Sequence, residues 1–229
     1  MSPAHLYTAK VPMPSVCASD LILSRAQPVL DAFYNGVIAC GHQPPFKPSI
    51  LITSTPDTIR YDPLARAVIL VPYEALPPPR RVAMERFAAI GTLGLSGREQ
   101  YIEVFNTLLV AHELGHWLQE IAQRPLSRWQ AEYQANRIMV AFWREFSASL
   151  SSVDPEKRLA NFIAQSSNIL NAMPENTGMS PQDYFNAHIA GIEAQPMVYA
   201  SFQKLMVRQA IDEQPAPDFC QMVSTIWPR

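Results

Sequence analysis

Apolar positions recur along the chain with two different periods. After Ser96, the residues Val104, Leu108, Ala111, Gly115, Leu118 and Ala122 follow one another at steps of four and three, the spacing of a helix that buries one stripe. Ser96 and Glu99 form an S-x-x-E capping box ahead of them, so the pattern predicts one helix over 97–123. Ser127 with Gln130, Asp154 before Pro155, and Ser180 before Pro181 mark further starts, predicting helices over 128–149, 155–172 and 181–192, with a last one over 196–212. Upstream, residues 21–40 carry the same period, with a kink or restart at Pro28 and Gly41 as cap; Pro79 opens another helix that runs through Ile90.

Two short runs break that period. SILITS (49–54) and AVILVP (67–72) are β-branched and continuously apolar, and TPDTIRYDPLAR between them is dense in turn residues. They predict a β-hairpin or meander. The expected class is α+β and helix-dominated, with a small sheet ahead of the longest helix. At 229 residues a single domain is the default: 1–20 an irregular proline-rich leader, 21–150 the core that carries the chemistry, 151–229 a helical C-terminal part.

Composition narrows the partners. A formal net charge of -2 lacks the basic footprint that binding to nucleic acid requires. No apolar run reaches membrane-spanning length, and the first residues lack the cationic start and apolar core of a secretory signal. The expectation is a cytoplasmic protein with no nucleic acid and no membrane as partner. Cys17, Cys40 and Cys220 are odd in number, far apart and without a CxxC pair, so they are expected to be free and buried rather than bridged or metal-bound. The glycine-spaced GTLGLSG (91–97) lacks the Lys-Ser or Lys-Thr of a phosphate loop.

The chemistry gathers in LLVAHELGHWLQE (108–120). His112 and His116 lie one turn apart on one helix face, beside the buried stripe, and can hold one metal ion; Glu113, rotated by ~100°, faces a water beside it. Chance gives such a H-E-x-x-H in roughly 0.6% of chains with these histidine and glutamate contents. The plain alternative is a hydrogen-bonded pair of core histidines. Gly115 costs a helix about 1 kcal/mol relative to alanine, which points to an element packed closely against it.

A catalytic zinc needs a third protein ligand and an open position. Glu132, sixteen residues beyond His116 on the next helix, is the candidate, and Asn136 one turn later is placed to orient a ligand histidine. Glu103 and Glu120 lie on the motif helix itself and Glu145 past its packing level; an exposed helix glutamate is the plain reading of Glu132. His188 and Tyr199 are candidate donors to a developing oxyanion, with a capping or surface role as the alternative for His188. The strand at 67–71 is either sheet core or an edge on which an extended peptide could pair.

Together, AHELGH and EYQAN resemble the gluzincin pattern. The order IRYDPLARAVILVP, LLVAHELGHWLQE, AEYQANRIMVAF, over residues 59–142, is similar to the ImmA/IrrE type of small metallopeptidase. The resemblance implies a zincin-like domain with His112, His116 and Glu132 as ligands of Zn2+ and Glu113 as general base in hydrolysing a peptide or protein substrate. The chain departs from that type in an insertion over 77–96, in VAFWRE after the second signature, and in having no recognisable helix-turn-helix. Two rivals remain, a non-catalytic zinc-stabilised scaffold and a regulatory module that acts on one specific protein partner.

Overall fold

The first described element, α1 (Ala18–Ala39), runs through Pro28 as one helix and buries Ile22, Ala26, Val29, Leu30, Phe33 and Val37 along one stripe. Gly41 ends it in the left-handed region (φ 84°), where the His42 N–H returns to the Val37 carbonyl at 3.3 Å. The computed structural model describes residues 18–54, 59–150, 153–164 and 178–228. Among them the architecture is α+β and helix-dominated, with one small sheet ahead of the motif helix.

That sheet differs from the expected hairpin. Strands β1 (Ser49–Ile52) and β3 (Ala67–Leu70) are parallel neighbours, Ile50 opposite Val68, and β2 (Ile59–Asp62) pairs antiparallel with the far side of β3. The order β1-β3-β2 makes AVIL the central strand, buried along its length, as a continuous apolar run should be. Both its edges are already paired, so 67–71 offers no edge to a peptide. The true hairpin joins β2 to β3 through a turn in which Asp62 Oδ1 accepts the Leu64 and Ala65 N–H groups at 3.0 Å. IRYD is too short and polar to announce itself as a strand.

After a short turn at Tyr73–Ala75 come α2 (Pro78–Ile90) and α3 (Gly97–Glu103). The Ser96 box is complete: Ser96 Oγ accepts the Glu99 N–H, and Glu99 Oε2 accepts the Ser96 N–H at 2.9 Å. The expected 97–123 helix is interrupted. Val104–Leu108 forms a wider π turn, closed by Leu109 N–H to the Val104 carbonyl at 2.9 Å, before α4 (Val110–Ala122). Trp143 Nε1 donates to the Leu108 carbonyl at 3.0 Å, and Thr107 Oγ1 to that of Ile102 at 3.0 Å, so tertiary and side-chain partners hold the turn open. Because the apolar residues around the turn stay buried, its extra residue leaves the periodic signal intact.

Helix α5 (Arg128–Leu150) starts at the Ser127–Gln130 box and folds back along α4. Gly115 explains how closely. A Cβ there would lie 2.9 Å from Ala135 Cα and 2.9 Å from Ile138 Cγ2, so the glycine lets the α5 backbone approach the histidines. In Gly115→Ala the strain, about 1–3 kcal/mol, should outweigh the roughly 1 kcal/mol of helix propensity gained. We expect a lower denaturation midpoint with an unchanged denaturant slope; a raised midpoint would mean the helices part at no cost.

Then follow α6 (Pro155–Ala164), α7 (Pro181–Glu193), α8 (Pro196–Asp212) and α9 (Phe219–Ile226). The expected continuation of α6 to 172 falls outside the described residues. Helix α9 lies outside the expected set, although D-x-x-Q at 218–221 is its box: Asp218 Oδ1 accepts the Gln221 N–H at 2.7 Å. It seats Phe219, Met222, Val223 and Ile226 in the same core as Phe33, Trp117 and Phe142. This docking also overturns the expectation of free cysteines. Cys40 at the end of α1 and Cys220 on α9 form a disulfide, their Cα atoms 5.2 Å apart. The pairing spans 180 residues and depends on α9, a helix outside the expected set although its Phe219, Met222, Val223 and Ile226 keep the helical period. No helix among the described residues is long and apolar enough to cross a membrane.

Candidate metal centre

Three side chains from two helices converge on one point. His112 Nε2 and His116 Nε2 are 3.1 Å apart, and Glu132 Oε2 lies 3.3 Å from the first and 3.6 Å from the second. The one-turn spacing on α4 sets the histidines side by side, and the close approach at Gly115 brings α5 within reach. His112 and Glu132 are 5% and 3% exposed, whereas the His116 side chain is 22% exposed and opens outward.

The outer nitrogens fix what the inner ones offer. His112 Nδ1 faces Asn136 Oδ1 at 3.0 Å, the orienting contact expected of Asn136. His116 Nδ1 faces Gln119 Oε1 at 2.9 Å, and Gln119 Nε2 donates to the Ala131 carbonyl at 2.8 Å. Each Nδ1 therefore donates its hydrogen to an amide oxygen, and each Nε2 turns a lone pair toward the carboxylate of Glu132. Two imidazole lone pairs and a carboxylate oxygen aimed at one buried point repel one another unless a cation or a proton lies between them. The donor set fits a divalent metal that accepts nitrogen and oxygen together, and among the described residues these three form a group able to hold such an ion.

Without a metal, a proton takes that part. Burial alone would lower the His116 pKa, but the Glu132 carboxylate, through hydrogen bond and charge, together with the charge of Glu113, pushes it up to about 9. Glu132 is buried too, yet its hydrogen bonds to both histidines hold it well below the usual carboxylate range. Because the folded His116 pKa lies above its ordinary 6.5, the metal-free fold gains stability from this pair below pH 6.5 and loses it as pH rises through about 9. A metal must displace the same proton. Its apparent affinity should then rise about tenfold per pH unit between 6.5 and 9, checked by chelator competition across that range; a flat profile would mean no proton leaves.

Glu113 lies beside the triad, 8% exposed, with Oε2 accepting the Tyr61 backbone N–H at 2.7 Å. Strand β2 is thus fastened to α4, and the Tyr61 hydroxyl adds a hydrogen bond to Glu120 on the same helix. Between β2, α4 and the start of α5 a cleft of about 430 Å³ opens onto His112, Glu113, His116 and Glu132. Tyr199 on α8 lines it as well. Burial and the charges of Glu132 and Glu113 raise the Tyr199 pKa well above its ordinary value, so its hydroxyl keeps its hydrogen.

His188 is not brought to the site. It lies exposed on α7, stacked on the Tyr184 ring with Nδ1 on the Tyr184 carbonyl at 3.0 Å. Three contributors went unnoticed in the sequence: Tyr61, Gln119 and Gln203, whose Nε2 donates to Glu132 Oε2 at 2.7 Å. Only Gln119 left a usable signal, its position one turn after His116. Compared with protein-family models, with curated proteins and with solved structures, the chain matches none of them.

Proposed function

We propose that this chain is a zinc-dependent peptidase of the gluzincin kind, its arrangement nearest to the ImmA/IrrE type. The observation that carries the proposal is Glu113, a buried carboxylate beside the His112, His116 and Glu132 donor set and at the floor of an open cleft. Two imidazoles and one carboxylate would hold Zn2+, which when bound supplies a Lewis acid that polarises a carbonyl and makes water more acidic.

The protein's own part follows from geometry. The Tyr61 N–H holds one Glu113 oxygen, which leaves the other free to take a proton from the attacking water and later pass it to the leaving nitrogen. Strand β2, not the central strand, is the sheet edge at the cleft, so an extended peptide would lie along Ile59–Asp62. Tyr199, protonated, lining the cleft and hydrogen-bonded beside Glu132 and Gln203, would be a donor to a developing oxyanion. A zinc-stabilised scaffold needs no such cleft, and this favours hydrolysis over it.

Incubation of the zinc-loaded protein with a peptide library, with and without chelator, tests the proposal by mass spectrometry. Chelator-sensitive cleavage supports it. Intact peptides throughout, with zinc present, would leave the scaffold, or a module specific to one protein partner, as the better reading. On location, the expected cytoplasmic setting and the Cys40–Cys220 bridge pull apart, because reducing compartments keep thiols open. Thiol counting on denatured, unreduced protein from cells decides: we expect one free thiol for the bridged chain, and three would place it in a reducing compartment.

A further inference from the structure

The hydrogen bonds behind the metal-directed residues join into one chain with a single direction, and it ends on Glu132 Oε2, the same oxygen that faces both histidines. Ionised Glu132 can only accept, so Gln203 must present its NH2 group there, Nε2 to Oε2 at 2.7 Å. The amide so held turns its oxygen to Asn136, whose Nδ2 donates to Gln203 Oε1 at 2.7 Å. Asn136 is then left with its own oxygen toward His112 Nδ1, at 3.0 Å. His112 must carry its hydrogen on Nδ1 and keep the Nε2 lone pair for the metal. Reversing either amide would oppose donor to donor or lone pair to lone pair, with Asn136 fully buried and Gln203 9% exposed, where burial makes the mismatch costly.

We infer that Gln203 is a positioning residue that sets the tautomer of His112 and the orientation of Glu132, and so sets the affinity of the site for its metal. The inference rests on the metal-site reading above. It gives α8, far along the chain from the H-E-x-x-H motif, a part in the chemistry: Gln203 closes the chain from one ligand to another, with Met206 Sδ against the Asn136 amide at 3.8 Å.

Chelator competition measures zinc affinity without reference to any substrate. Gln203→Met keeps the length and loses the donor; Gln203→Asn keeps the amide but shortens its reach. Both should bind zinc ~10–100-fold more weakly than wild type, the usual effect of losing a partner that orients a ligand. Melting of the metal-free proteins reports folding separately. Phe202→Leu, which loosens the neighbouring cluster with Trp129 and Phe185, should lower the melting temperature and leave zinc affinity as in wild type. Wild-type affinity in both Gln203 variants would overturn the inference while the metal site stands, and so would an equal loss of affinity in Phe202→Leu. A folded wild-type protein that binds no zinc would instead overturn the reading beneath it.

Discussion

Glu113→Gln should leave the protein folded and able to hold zinc while lowering kcat for peptide cleavage by ~10²–10⁴-fold, the range that general-base catalysis supplies. The substitution is close to isosteric. With its amide oxygen toward the Tyr61 N–H, glutamine keeps the 2.7 Å hydrogen bond that anchors Glu113 and fills the same buried volume. Its other terminus becomes an NH2 group that cannot take a proton from water. The loss should fall on kcat with KM little changed, because the group acts in the transition state rather than on bound substrate. Steady-state kinetics beside metal analysis of the same preparation separates the cases; a metal-loaded variant as fast as wild type would remove Glu113 from this role.

The second large effect belongs to Glu132→Ala. Zinc affinity should fall by more than the ~100-fold that orienting partners command, since the variant removes a donor atom itself. The damage would not stop at one ligand. His112 and His116 would keep their Nε2 atoms 3.1 Å apart without the carboxylate that draws a cation between them. Gln203 would lose the acceptor that fixes its amide, and with it the constraint on Asn136 and His112. Chelator competition checks the size of the fall, and retention of wild-type affinity would exclude Glu132 as a ligand.

Why were His112, His116 and Glu132 legible in the sequence while half of their surroundings was not? A helix converts spacing into direction, so a four-residue step places two side chains together, and a short break between two helices places a third. The caps at Ser96, Ser127 and Ser180 are equally local, each closing within three residues. Even Gly115 could be read, because a glycine inside a strong helix marks a close neighbour. Apart from Gln119, one turn after His116, what escapes is contact across distance or through backbone. Tyr61 reaches Glu113 across 52 residues with an N–H that no side chain advertises, and Gln203 reaches Glu132 across 71.

The strand at 67–71 offers a different lesson. Its unbroken apolar run already implied burial on both faces, which suits the centre of a sheet and not an edge for peptides. The polar IRYD beside it, the least strand-like of the three, forms the edge at the cleft. The disulfide is hidden by distance: its second cysteine is carried by α9, 180 residues beyond Cys40, although the D-x-x-Q start of that helix is as plain as the boxes at Ser96 and Ser127.

X-ray absorption at the zinc edge of the reconstituted protein tests the central claim most directly, because it sees the ligands without needing a substrate. The expected spectrum shows one zinc per chain with a shell of nitrogen and oxygen only, two imidazoles and one carboxylate at about 2.0–2.2 Å with one further light ligand, and loss of that shell in Glu132→Ala. Sulfur in the shell, fewer than two imidazoles, or a spectrum unchanged by Glu132→Ala would contradict it.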